Sequence, residues 1–136
     1  MSDSKIRKAF NDIVRGYATS RGMPVELENG IFTPPATGSY LKTQLFPAKT
    51  GSNTLAGDHK SYIGVYQVTI VVPAGEGTGH VTAIIDELQT LFPLYQRVAY
   101  GSNIAVVMTP VSPMTGIPQG SYFYTPTFFN YRSDTN

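Results

Sequence analysis

The sequence predicts an α+β fold: a single mixed or antiparallel β-sheet, two amphipathic helices packed on one of its faces, and long inter-strand loops. Two observations carry this expectation. Apolar residues recur at three- and four-residue steps in two separate stretches, and a run of strict alternation lies between them. The resulting order of helix, strands, helix, strands suits a layer of helices on one side of a sheet.

The first helix starts at Ser2 or Asp3, either of which can accept the free N–H groups of the first turn. Ile6, Phe10, Ile13, Val14 and Tyr17 form its apolar face, and Lys5, Lys8, Asp12 and Arg15 its polar one. Gly22 before Met23-Pro24 ends it near Arg21. Val25 to Glu28 and Ile31 to Thr33 flank Asn29-Gly30, a pair that tolerates the positive φ of a tight hairpin turn, and Pro34-Pro35 closes the hairpin. A strand from Tyr40 to Pro47 follows, and the stretch from Ala48 to Lys60 has the composition of a long exposed loop.

Ser61 to Val72 is the clearest strand. It sets Tyr62, Tyr66, Val68, Ile70 and Val72 on one face and Ile63, Val65, Gln67, Thr69 and Val71 on the other, as expected of a central strand. Pro73 and the following glycines break it. Val81, Ile84, Ile85, Leu88, Leu91 and Phe92 then mark the second helix, which Pro93 stops. Burial of six such side chains, at roughly 1.5–3 kcal/mol each, anchors it on the sheet. Gln96 to Tyr100 and Ile104 to Val111 read as a hairpin around Gly101-Ser102-Asn103, Ser112 to Gln119 as a second Pro/Gly loop, and Ser121 to Tyr131 as the closing strand. No linker or internal repeat interrupts residues 1–136, so one domain is expected.

That closing strand holds six of the sixteen aromatics. Alternation puts Tyr122, Tyr124 and Phe128 opposite Phe123, Phe129 and Tyr131, so both faces want cover. Either another subunit buries part of this surface, or it is an ordinary β-rich core with tyrosine hydroxyls at its rim.

Composition narrows the function classes. Charged residues make up 14% of the chain, against about 25% in an average protein, so much of the surface is neutral. A formal charge of +1 offers little field for nucleic acid or an anionic membrane, which leaves protein as the expected partner. The absence of cysteine excludes disulfides and thiolate chemistry and is compatible with a reducing cytoplasm. The charged N-terminal segment is unlike a secretory signal, and no apolar run approaches the roughly 18 residues of a membrane helix, so a soluble, non-exported protein is expected.

The chemical signals are weak. Gly75-Glu76-Gly77-Thr78-Gly79 sits between strand and helix like a phosphate loop, but Gly79-His80-Val81 lacks the Gly-Lys-Ser/Thr that a Walker loop needs. Asp58, His59 and Ser61 crowd one loop, which rarely aligns a nucleophile, its base and an orienting group. His59 and His80, the two histidines, have no ligand spacing for a metal and read as a loop and a helix-start residue facing solvent. Asp86-Glu87 fall on the polar side of the second helix. The strand aromatics lack the basic groove of a single-strand binder, since residues 96–132 hold only Arg97 and Arg132. No enzyme activity, cofactor or metal is expected.

The order of segments resembles a known family. A basic amphipathic helix precedes Glu28-Asn29-Gly30 and Pro34-Pro35, and Tyr40-Leu41-Lys42 leads to Phe46-Pro47-Ala48. Leu55-Ala56-Gly57, Gly64-Val65-Tyr66-Gln67-Val68 and Val72-Pro73-Ala74-Gly75-Glu76-Gly77 follow, before a helix ending Leu91-Phe92-Pro93. Across residues 3–131 this is similar to the tail terminator family of long-tailed bacteriophages, in the branch known only as a phage-related domain. The resemblance implies an α+β subunit of a hexameric ring that caps the tail tube, ends tail polymerisation and meets a head-completion protein. DNA would pass through the ring only as passive cargo, and no membrane would be involved. It further implies a place at the head-proximal end of the virion tail, after assembly in the host cytoplasm. The family brings no catalytic residues. Two other readings stay open: another head–tail joining or tail tube component, and a small-ligand or nucleotide-binding module built on the glycine loop.

Contacts with neighbouring subunits or the tube are expected from the loops at 48–60 and 113–120 and from the closing strand. The candidate interface residues are Lys49, Asp58, His59, Lys60, Met114, Ile117, Tyr122, Tyr124 and Phe128.

Overall fold

The computed structural model describes residues 3–27, 30, 38–48, 51–52, 60–75, 79–100 and 103–135. These form helix α1 (Asp3–Arg21), strands β1 (Val25–Glu26), β2 (Tyr40–Pro47), β3 (Gly51–Ser52) and β4 (Lys60–Pro73), then helix α2 (Gly79–Leu91). Strands β5 (Arg97–Tyr100), β6 (Asn103–Val107), β7 (Ser112–Pro113), β8 (Ile117–Gln119) and β9 (Tyr122–Thr135) follow. All the strands join one mixed sheet, and both helices pack on one of its faces, as the hydrophobic periodicity predicts.

The sheet is organised around β4 and β9, each 14 residues long and paired antiparallel from Lys60↔Thr135 to Pro73↔Tyr122. On one flank β2 pairs antiparallel with β4, and β1 adds to β2 in parallel, with Glu26 beside Lys42. The expected Val25–Glu28 hairpin arm is thus a short parallel strand; of its Asn29-Gly30 turn only Gly30 is described, its N–H bonding back to Leu27 O at 3.1 Å, and the second arm lies outside the described residues. Along the other flank of β9 run β8, β7 and β6 in succession, and β5 pairs outside β6.

Residues 112–119, expected as a loop, therefore contribute two short strands to the ladder of β9. The expectation missed them because their prolines and Gly116 carry turn chemistry. Pro126 explains why this flank is broken. Its carbonyl accepts from Met114 N–H at 2.8 Å, so its nitrogen, which has no hydrogen to donate, faces the gap between β7 and β8. A Cβ on Gly116, in that gap, would overlap the Phe123 ring. The predicted loop from Ala48 also contains structure, since β3 pairs with the start of β4.

The core lies between the helices and the sheet. From α1 come Ile6, Phe10, Val14 and Ala18, and from α2 Val81, Ile84 and Leu88, all buried. α1 ends as its Gly22 predicts: Gly22, at φ 70°, bonds back to Thr19 and Met23 N–H to Ala18, closing the last turn. The Phe10 ring stands 5.1 Å from Tyr66, 5.2 Å from Phe129, 5.8 Å from Tyr131 and 6.0 Å from Phe92, so α1, the end of α2, β4 and β9 meet around one side chain. Edge-to-face pairs of this kind add about 0.5–1.5 kcal/mol each beyond area burial. Beside them the Tyr66 hydroxyl donates to Asn11 Oδ1 at 2.6 Å, a buried polar pair that fixes the rotation of α1 on the sheet.

Burial holds the Tyr66 phenol well above its ordinary pKa of 10.0. The folded chain thus keeps a proton that the unfolded chain releases above about pH 10, so the tyrosine's contribution is constant below that pH and declines above it. Tyr66→Phe is expected to cost about 1–3 kcal/mol at neutral pH, because Asn11 is left buried and unpaired. Urea unfolding should show that cost, its partial recovery on adding Asn11→Leu, and a shallower loss of stability above pH 10 than in the wild type. A second expectation concerns Gly64, where a Cβ would stand 2.5 Å from the Phe46 carbonyl oxygen, 2.7 Å from Tyr131 Oη and 2.9 Å from Pro47 Cα. Two of those three neighbours are backbone, so Gly64→Ala should destabilise by about 1–3 kcal/mol, read as a lower urea midpoint with an unchanged slope.

Candidate assembly surface

Cross-strand partners share a face of a sheet, so the register assigns every strand residue to the helix side or to the other side. Tyr66, Val68 and Ile70 of β4 and Phe129 and Tyr131 of β9 face the helices. Their neighbours in sequence point to a face on which neither helix packs. Across one end of that face run Phe46, Val65 and Asn130, joined by Met108, whose N–H donates to Asn130. The next row holds Ile63, Arg132, Val106 and Arg97. Farther along come Gln44, Gln67, Phe128 and Ser112, then Met114 beside Pro126, and Ile117 beside Tyr124.

This face is half wet and half apolar. Phe46 is 48% exposed, Ile63 43%, Met108 39%, Met114 44% and Ile117 56%. Five of the seven exposed large hydrophobic residues among those described thus share one sheet face; the other two, Leu94 and Tyr95, sit at its corner. An isolated apolar residue in water is unremarkable, but five on one sheet face make that face the candidate contact surface. The far end is closed instead. Tyr40 is buried, its ring packs edge-on to Tyr122 at 5.9 Å, and burial together with hydrogen bonding to Tyr124 pushes its phenol far above the ordinary range.

The Leu94–Tyr95 corner is strained. Gln96 N–H returns to Pro93 O, Tyr95 N–H donates to Val107 O, and Val107 N–H donates to Gln96 O, which makes a tight turn running into a bulge opposite Val107. The bulge holds Tyr95 at φ 65°, a position suited to glycine that costs another residue roughly 1–2 kcal/mol. Tyr95 recovers none of this by packing, since it is 65% exposed.

On the helix side, α1 and α2 border an open groove of about 520 Å³ lined by Tyr17, Ser20, Arg21, Asp86, Glu87, Thr90 and Leu91. Glu87 pairs with Arg21 at 3.1 Å and accepts from the Tyr17 hydroxyl at 3.2 Å, and burial raises the Tyr17 phenol. These bonds tie the end of α1 to α2, while Asp86, also on the groove, is exposed. No cluster of potential metal ligands occurs among the described residues, and His80 is exposed at the start of α2.

Of the residues expected at an interface, Met114, Ile117, Tyr122, Tyr124 and Phe128 all lie on the face away from the helices, although three of the five come from the closing strand and two from the presumed loop. Lys60 is the first residue of β4, while Lys49, Asp58 and His59 lie outside the described residues. Glu76 to Thr78 of the glycine loop also lie outside them. Phe46, Met108, Leu94 and Tyr95 were not anticipated. Alternation along Tyr40–Pro47 could have placed Phe46 outward, but nothing in the sequence signals a tyrosine in a glycine conformation.

No curated protein matches the chain. A solved structure 36% identical in sequence superposes with a TM-score of 0.83, covering 98% of this chain and 96% of its own. The family model for phage tail terminator protein matches residues 5–131, a span that runs from the first helix to β9 and includes both the core and the uncovered face. The chain belongs to the phage tail terminator family.

Proposed function

We propose that this protein assembles as a hexameric ring that caps the tail tube, ends tail polymerisation and presents a surface to the head-completion protein. The observation that carries the reading is the uncovered sheet face, with exposed Phe46, Met108, Ile63, Met114 and Ile117 on it. A two-layer fold needs only one face of its sheet for its own core; apolar residues on the other serve contacts between molecules. Family membership supplies the setting, a structural role in a phage tail.

In this reading Met114, Ile117, Tyr124 and Phe128 contribute to subunit contacts. Lys49, Asp58, His59 and Lys60, in and beside the connection at 48–60, reach the neighbouring subunit or the tube. The ring sits at the head-proximal end of the tail, having assembled in the host cytoplasm, and its near-neutral charge lets DNA pass as cargo without being held.

Negative-stain images of the purified protein are expected to show six-fold rings with a central hole, and a phage lacking the protein should make tails of uncontrolled length. Ile117→Asp and Met114→Asp, both at exposed positions, should leave the urea midpoint within about 0.5 kcal/mol of the wild type. Each buries a charge on assembly and should raise the concentration for half-assembly by about a hundredfold or more, measured by light scattering. A wild-type protein that stays monomeric at every concentration, with or without tail tubes, would overturn the proposal.

A further inference from the structure

A closed ring of more than two copies uses two different surfaces on each subunit, one seated on the other all the way round. The uncovered sheet face supplies one of them. The charges choose the other. At the exposed end of the face, Arg97 stands in one row with Val106 and Arg132, a cation set among apolar side chains. α1 would repel it, carrying five cations, Lys5, Arg7, Lys8, Arg15 and Arg21, against two carboxylates, Asp3 and Asp12. α2 would attract it, since its only formal charges at neutral pH are Asp86 and Glu87.

Pairing within the chain sharpens the choice. Asp12, Glu26 and Glu87 are each taken up by a cation, at 2.9, 3.5 and 3.1 Å. Asp86 is the one carboxylate among the described side chains with no ion pair, and it is exposed; Arg97 is likewise exposed and has no ion-pair partner among the described residues. Around Asp86 the exposed positions of α2 include Gly79, Thr82, Ala83, Gln89 and Thr90, small apart from Gln89, so another molecule's sheet can approach the helix.

We infer that, within the proposed ring, the uncovered sheet face of one subunit docks on the α2 side of the next copy of this chain, with Arg97 set against Asp86 of that copy. Tyr95, two residues before Arg97 on the strained corner, inserts at the same contact, which gives its backbone strain a purpose. The inference rests on the ring reading but fails separately from it. Each subunit thereby gains a third layer: helices, sheet, and the neighbour's α2.

The test is charge exchange read by light scattering. Arg97→Glu and Asp86→Arg each place like charges together and should raise the concentration for half-assembly at least about tenfold, while the double variant restores it. Tyr95→Gly relieves the positive φ, so it should raise the unfolding temperature of the subunit while weakening assembly, a combination that a purely structural residue does not produce. Single variants that assemble like the wild type, or a double variant no better than the singles, would refute this docking. Rings that persist in Arg97→Glu but no longer bind tail tubes would assign the face to the tube instead. A wild type that never assembles would remove the ring reading and this inference together.

Discussion

The pairing of β4 with β9 is the constraint on which the rest of the structure depends. Because the two strands run side by side without a slip over 14 residues, their alternation is locked together, and a shift of one residue in either would turn its whole apolar set to the opposite face. The register brings Tyr66, Phe129 and Tyr131 under the Phe10 ring of α1, while the Tyr66–Asn11 hydrogen bond sets how that helix lies. The same register sends Ile63, Val65, Phe128 and Arg132 the other way. Core and candidate contact surface are thus two consequences of one alignment, and neither can be altered without the other.

Much of this was legible in the chain. The helix-spaced residues from Ile6 to Tyr17 and from Val81 to Phe92 give both helices nearly to their ends, because each is bounded by a glycine or proline with a definite backbone requirement. The alternation in β4 gives both of its faces correctly, and the aromatic pattern of β9 gives its own. What escaped were short elements held only by tertiary pairing. β1, β3, β7 and β8 are two or three residues long, too short to show a period, and three of the five residues from Ser112 to Gly116 read as turn formers. Tyr95 escaped for a different reason: its conformation is imposed by the bulge opposite Val107 and contradicts its own preference.

A low charge content fits a protein whose surface is largely occupied by other proteins. Two of the ion pairs, Arg21–Glu87 and Lys42–Glu26, join one element to the next. Membership of the tail terminator family gives the chain a structural role in a phage tail. The exposed end of the sheet, with its apolar rows and two arginines, and the acidic small-residue side of α2 give the two layers of the fold complementary outer surfaces.

In the proposed ring the sheet face left free by the helices is covered by a neighbour. Hydroxyl-radical footprinting of assembled and dissociated samples measures this side chain by side chain, with Met108 and Met114 as sensitive reporters and Tyr95 and Phe46 beside them. These four are expected to label readily in the dissociated subunit and to be strongly protected on assembly, while the outer surface of α1 changes little. Equal labelling of Met108 and Met114 in both states would contradict it.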